Sequence, residues 1–369
     1  MVYSEDYKKL VDATALKDKY YEIDERVEEI CKEAFKGCDK LEEIVMPKKL
    51  KKIDSEAFQG CSSLTKLTLP SRVASIGRWA FYGCSGLTEL TLPDTLECIE
   101  AFAFCGCSGL TELTLPNRVR IIEVSAFYGC SGLTELTLPN SVKIIGDGAF
   151  AYCSGLEKIT VESGNSRYDS RDNCNSIIDK KTNTLIAGCK NSVIPNGVTS
   201  IGDSAFGWCS EFTELVLPNS VTSIVESAFA YCSGLEKITV ESGNSRYDSR
   251  DNCNSIIETA TNTLIAGCKN SVIPNSVTSI GDSAFEGCTG LTELTLPKSV
   301  KSIVDSAFYG CSDLSKITSL AEIPPMCGFK VFNGVNKTNC ELIVPEGSVA
   351  AYTRAEDWNK FSNIRGFSK

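Results

Sequence analysis

One dipeptide recurs along the chain with a fixed step. Ala-Phe places its Phe at Phe35, Phe58, Phe81, Phe104, Phe127 and Phe150, always 23 residues apart. It returns at Phe206, Phe229, Phe285 and Phe308 with steps of 56, 23, 56 and 23, so two intervals hold one repeat plus 33 further residues. Such a period means a stack of like units, because each copy is one supersecondary element that cannot bury its apolar face alone.

The same frame surrounds each Phe. Leu87-Thr88-Glu89-Leu90-Thr91-Leu92-Pro93 shows its first half, and Val73, Ile76, Ala80, Phe81, Gly83 and Cys84 show its second. L-x-x-L-x-L sets apolar side chains on one side of a short strand. Pro93, Pro116, Pro139 and Pro218 stop that strand, since proline has no N–H for a ladder. V-x-x-I predicts a second short strand on the opposite wall. A-F-x-G-C is too short for a helix and predicts a single helical or 3-10 turn. Each coil is thus a flattened loop with an apolar inside, and stacking supplies the burial and strand pairing one coil lacks. The expected fold is a β-rich leucine-rich-repeat solenoid, with short parallel strands on both walls and helical end caps.

A larger duplication overlies the repeat. Ala151–Phe229 and Ala230–Phe308 are both 79 residues long and nearly identical. Each carries an insertion, near 162–194 and 241–273. In the first, Ser176-Ile177-Ile178 and Thr184-Leu185-Ile186-Ala187 flank a polar turn and predict a β-hairpin. Residues 1–20 are expected to form a helical N-terminal cap, 21–318 the solenoid, and 319–369 a C-terminal cap. In that cap Glu341–Pro345 is the last strand and Val349–Phe361 a helix with Ser348 near its N-cap.

The frame L-T-E-L-T-L-P-x-S-V-x-S-I-G-x-x-A-F-x-G-C-S-G, in ten copies over about residues 21–318, resembles the BspA-like leucine-rich-repeat proteins, the Treponema pallidum type of repeat. The insertion and the ending V-P-E-G-S-V-A-A-Y resemble gut Bacteroidetes members. The resemblance implies a secreted or surface protein without enzymatic activity, often an adhesin for host matrix proteins or other cells. Its ligand would be a protein or glycoprotein; the alternative is a spacer that displays another module.

Composition narrows the chemistry. The 369 residues include 19 Cys and no His, with a formal charge of -10. Without His there is no Ser-His-Asp or Cys-His catalysis. The negative charge opposes nucleic acid. No run approaches the roughly 18 apolar residues of a membrane span. The acidic opening Met1-Val2-Tyr3-Ser4-Glu5-Asp6 is not a secretory leader. No catalytic, cofactor or metal-binding set is expected. Gly202-Asp203-Ser204 and Gly281-Asp282-Ser283 look like an esterase block, and Leu92-Pro93-Asp94-Thr95-Leu96 like a sortase signal, but the repeat accounts for all three. Tyr168–Asn173 lacks the spacing of a calcium loop.

Cys38, Cys61, Cys84, Cys107, Cys130, Cys153, Cys209, Cys232, Cys288 and Cys311 each follow the repeat Phe by three residues. Stacking aligns them as a ladder of small buried hydrophobes with weak S–H donors. Cys174 with Cys189, Cys253 with Cys268, and Cys327 with Cys340 stand outside the ladder and are candidate disulfides. Two surfaces are candidate protein-binding sites. One is the outward strand position carrying Glu89, Glu112 and Glu135, which stack as an acidic strip. The other is the aromatic edge beside the Phe-Cys turn, with Trp79, Tyr82, Tyr128, Tyr152, Trp208, Tyr231 and Tyr309.

Overall fold

Apolar residues spaced by three build the two walls, and the Phe-Cys turn joins them. A computed structural model describes residues 1–368 and divides the chain into two compact units, Met1–Ser192 and Val193–Lys369.

In the first unit the V-x-x-I segments form one sheet. Lys9–Asp12, Glu29–Ile30, Lys52–Ile53, Ser75–Ile76, Cys98–Ile99, Ile121–Ile122 and Ile144–Ile145 pair in parallel, each with the next. The L-x-x-L segments form the opposite wall, with Tyr20–Glu22, Glu43–Val45, Lys66–Thr68 and Glu89–Thr91 in one sheet and Glu135–Leu138 beside Lys158–Val161. Between the walls Phe35, Phe58, Phe81, Phe104, Phe127 and Phe150 stack with nearly parallel rings, centroids 4.8 to 5.6 Å apart.

The corner segments are single turns, closed by bonds such as Cys84 N–H to Phe81 O at 3.2 Å. They are not regular 3-10 helix, because two residues per turn take positive φ, as at Trp79 (56°) and Gly83 (71°). That conformation points alternate N–H groups at the next coil. Phe81 N–H donates to Ala103 O and Gly83 N–H to Cys105 O, both at 2.8 Å. The corner is therefore a third hydrogen-bonded ladder. At Gly106 a Cβ would lie 3.6 Å from the Cα of Gly83 on a backbone with φ 75°, which accounts for glycine in this slot.

The N-terminal helical cap is not what forms. Val2–Tyr3 and Lys9–Asp12 are antiparallel strands, and Leu10 sits in register with Ile30 as one more wall strand. Leu10, Ala13 and Leu16 are buried. Their spacing of three is the V-x-x-I rhythm, and stacking on the next coil satisfies the backbone better than an isolated helix would.

Each insertion contains the expected hairpin. In the first, Ile177–Asp179 pairs with Thr184–Ala187, and Tyr168–Asp169 adds a third antiparallel strand. Buried Asn165 anchors it, donating to Pro139 O and Val142 O and accepting from the N–H groups of Arg167 and Tyr168. The Tyr168 hydroxyl accepts from Ile145 N–H at 3.0 Å.

In the second unit, Tyr247–Asp248, Ser255–Glu258 and Thr263–Gly267 repeat this meander. Thr263–Gly267 then pairs in parallel with Ser279–Ile280, so the hairpin stands where Ser223–Ile224 would otherwise continue the wall. The C-terminal helix spans only Val349–Arg354. Ser348 makes no side-chain cap bond. Ala355 turns extended, a short 3-10 turn follows at Trp358–Lys360, and Asn363–Phe367 pairs with Glu341–Pro345. The single helix to Phe361 is broken because Trp358 is drawn inward. Its indole N–H donates to Pro325 O at 2.8 Å, and its ring meets Phe332 edge-on at 5.1 Å.

Phe104→Ala should cost about 3–5 kcal/mol by leaving a cavity in the ring column, whereas Tyr82→Ala on the exposed corner should cost less than about 1 kcal/mol. Urea unfolding of both variants checks this.

Candidate binding surfaces

The cysteine ladder is structural. Cys61, Cys84, Cys107, Cys130 and Cys153 are buried, and each thiol donates to the carbonyl of the Phe 26 residues earlier at 3.2 to 3.3 Å. Cys232 and Cys311 do the same to Phe206 O and Phe285 O at 3.1 Å, and Cys38 donates to Ala13 O. Cys209 and Cys288 are buried in the equivalent corner. Burial pushes Cys84, Cys153 and Cys232 up to about 12, and Cys107 and Cys130 well above the usual thiol range. Such thiols stay neutral and unreactive. The candidate disulfides are not formed: Cys174, Cys189, Cys253, Cys268, Cys327 and Cys340 are free thiols. Cys189 instead bonds Asn175 O, and Cys268 bonds Asn254 O, both at 3.5 Å.

Glu89, Glu112 and Glu135 hold the outward strand position in three successive coils, with a lysine at each end of the run. Lys66 reaches Glu89 at 2.8 Å, and Lys158 reaches Glu135 at 3.3 Å. Glu112 lies between them on a segment without strand pairing. In the second unit Lys237 holds Glu214 and Lys316 holds Glu293.

The aromatic edge is richer. Trp79 and Phe102 occupy the same left-handed slot one repeat apart, with φ 56° and 59°, and their rings lie 5.8 Å apart. The Arg78 guanidinium sits 4.1 Å over Trp79. With Tyr82, which is 41 % exposed, and Tyr128, they line a groove of about 500 Å³ whose other walls are Lys36, Glu56, Gln59 and Cys105. Lys36 and Glu56 are paired at 2.6 Å, which lowers the Glu56 carboxyl. The buried Gln59 Oε1 has no hydrogen-bond partner, and an unmet acceptor is costly. Tyr128 stacks on Tyr152 at 4.2 Å.

Three of the predicted aromatics hold an unusual place. Tyr152, Trp208 and Tyr231 stand in the slot that is glycine in most coils, with φ 64°, 63° and 59°. A bulky residue there carries strain of about 1–2 kcal/mol. In the second unit Trp208 stacks on Tyr231 at 4.5 Å. Tyr231 lies against Gly287, where a Cβ would come 2.3 Å from the tyrosine ring. Tyr309 is half-buried on the same corner. Sequence reading missed Phe102, Gln59 and Lys36. Phe102 was detectable, since it falls one 23-residue step after Trp79; Gln59 was not, because its isolation depends on packing.

The second insertion opens a smaller cleft of about 340 Å³, lined by Glu226, Ser227, Phe229, Asp282, Ser283 and Val304 among others. Phe285 packs over Gly267 of the hairpin, so Phe229 loses the ring that would cover it and is only half-buried. Ser283 Oγ donates to Asp282 Oδ1 at 2.8 Å. Among the described residues, no three Cys, Asp or Glu side chains are grouped to hold a metal ion, and no helix is long and apolar enough to cross a membrane.

The profile of the BspA-type leucine-rich-repeat region, six copies long, matches residues 15–107, 74–185, 176–266 and 255–342. The chain belongs to the BspA-type leucine-rich-repeat family. No curated protein sequence matches it. Its fold is similar to that of a leucine-rich cell surface protein from Faecalibacterium prausnitzii, at 24 % identity and TM-score 0.54, covering 98 % of this chain and 87 % of that one. It is also similar to the pneumococcal vaccine antigen PcpA, at 22 % identity and TM-score 0.50, covering 95 % and 79 %. A leucine-rich-repeat protein from Bacteroides ovatus aligns at 25 % identity and TM-score 0.43, covering 95 % and 84 %.

Two outcomes test the thiol chemistry. Unfolded protein prepared without reductant should take up one alkylating equivalent per cysteine, nineteen in all, by intact mass. The folded state binds the ladder protons more tightly than the unfolded chain. Its thiols thus contribute stability in full below the unfolded value of 9.0 and lose it as pH climbs toward about 12. The urea midpoint under reductant should therefore fall between about pH 8 and pH 10.5, and Cys84→Ala should flatten that fall.

Proposed function

We propose that this protein is a non-catalytic binding module of a bacterial cell surface, and that it docks a protein or glycoprotein along its aromatic edge. The observation that carries this is the groove of Trp79, Tyr82, Phe102 and Tyr128. Tyr and Trp combine large apolar area with a polar tip and dominate binding hot spots. Membership of the BspA-type family supports a protein-interaction or adhesion role. The F. prausnitzii protein of similar fold is a cell surface protein, which supports a surface location here.

A pure spacer would have no reason to leave four aromatic side chains around one recess. An enzyme would need more than the cleft beside Phe229 offers. Glu226 and Asp282 both line it, but acid–base work needs one carboxyl held protonated by burial, and Glu226 is exposed.

Purified protein should bind saturably to at least one of a panel of host matrix proteins, mucins and intact bacterial cells. Trp79→Ala with Tyr82→Ala should weaken that binding more than tenfold, about 1.4 kcal/mol or more, with the melting temperature unchanged within about 4 °C. A wild-type protein that binds nothing on the panel, or a double variant that binds equally well, overturns the reading.

A further inference from the structure

The C-terminal cap carries a second surface, in a different place from the groove at Trp79 and not dependent on it. Ile323 and Met326 are the two most exposed large apolar side chains among the described residues, at 80 % and 74 %. Phe329 is also exposed, at 66 %. Met326 N–H donates to Lys301 O at 2.9 Å, and Phe329 N–H donates to Asp305 Oδ1 at 2.8 Å. Lys301 and Ile323 together border a recess of about 500 Å³, with Leu320, Pro345 and Phe367 as its apolar wall. Exposed apolar side chains gathered in this way mark interaction sites.

Most lysines elsewhere in the unit are ion-paired. Lys237, Lys269 and Lys316 each hold a glutamate within 2.6 to 3.2 Å. Lys298, Lys301 and Lys330 have no carboxylate in ion-pair range among the described residues. Lys301 bonds only the carbonyl of Lys298, at 3.1 Å, and Lys330 lies 4.8 Å from the ring centre of Phe329. Glu322 is the one acid lining the recess. An acidic chain of net charge -10 thus places three lysines outside any ion pair, against the two carboxylates of Glu322 and Asp305, around these exposed apolar side chains.

We propose that this surface docks an acidic segment of a partner protein. An apolar side chain of the segment fills the recess between Ile323 and Phe367, and its carboxylates meet Lys298, Lys301 and Lys330. Complementary charge sets orientation and association rate, while the apolar anchor sets residence time. The recess is concave, which suits a side chain and not the flat face of a bilayer. A second copy of this chain would bring its own net negative charge, which repels at distance.

The test selects binders from a randomised peptide library displayed on phage, using the whole chain. Two variants serve for counter-selection: Ile323→Ser with Phe329→Ser, and Lys298→Glu with Lys301→Glu. All four side chains are exposed, so both variants should melt with the wild type, which calorimetry checks. Peptides that lose at least about tenfold affinity on both variants should carry more Asp and Glu than Lys and Arg. Their binding should weaken as salt rises from about 0.05 to 0.5 M. Patch-dependent peptides that are neutral or basic overturn the proposal, as does the absence of any patch-dependent peptide. So does self-association in sedimentation that both variants abolish, or patch-dependent binding to phosphatidylserine vesicles in place of peptides.

Discussion

Everything in this structure leans on the corner where Phe, Gly and Cys meet. There a ring stacks on the ring of the coil before it, a thiol donates back to that coil's Phe carbonyl, and an N–H of the left-handed turn donates forward. Three kinds of contact thereby fix the same inter-coil spacing. The walls contribute strands of only two to four residues per coil, too short to hold register unaided. In the second unit the insertion interrupts both walls, yet the corner runs on: Trp208 N–H donates to Ala230 O, Tyr231 to Glu286 O, and Gly287 to Tyr309 O. The ladder spans the inserted residues because they loop out to one side of it.

That constraint explains why the cysteines are chemically quiet in spite of their number. The slot needs a small side chain with a weak donor and no demand for solvation, and a neutral thiol meets all three conditions. Burial keeps each proton on sulfur, so neither oxidation nor metal binding competes with the contact. The same corner sets what the surface can present. Residues in its outward slots differ between coils, and along one edge several of them are aromatic. Filling a left-handed glycine slot with Tyr152, Trp208 or Tyr231 is unfavourable locally. The stacked pairs at 4.2 and 4.5 Å offset part of that strain.

Recesses and exposed apolar side chains arise where the repeat is broken or decorated. The Trp79 groove exists because two successive coils put large rings in one slot. The cleft beside Phe229 exists because a hairpin takes the place of a wall strand. The surface around Ile323 exists because the frame stops, leaving apolar side chains with no following coil in the described structure to cover them in that direction. A uniform array would have none of these features, since each coil would cover the last identically.

The sequence by itself determined the period, the two walls, the hairpins and the buried Phe-Cys column, because a 23-residue repeat admits one periodic way to bury its apolar set. It also removed histidine-based catalysis outright. Tertiary structure decided what periodicity cannot carry. Residues 1–20 look helix-permissive, but a neighbouring strand edge at Glu29–Ile30 recruits Lys9–Asp12 into the sheet. Val349–Phe361 has helical rhythm, but the pull of Trp358 toward Pro325 breaks it. The cysteine pairs flank hairpins in sequence, yet their thiols point to separate carbonyls. In the first two cases a long-range contact outweighed a local helix preference of a few tenths of a kcal/mol per residue. The side chains of the proposed surfaces follow the same division: Trp79 and Tyr82 could be singled out from their slot, while the isolation of Gln59 and the exposure of Ile323 appear only when the coils are stacked.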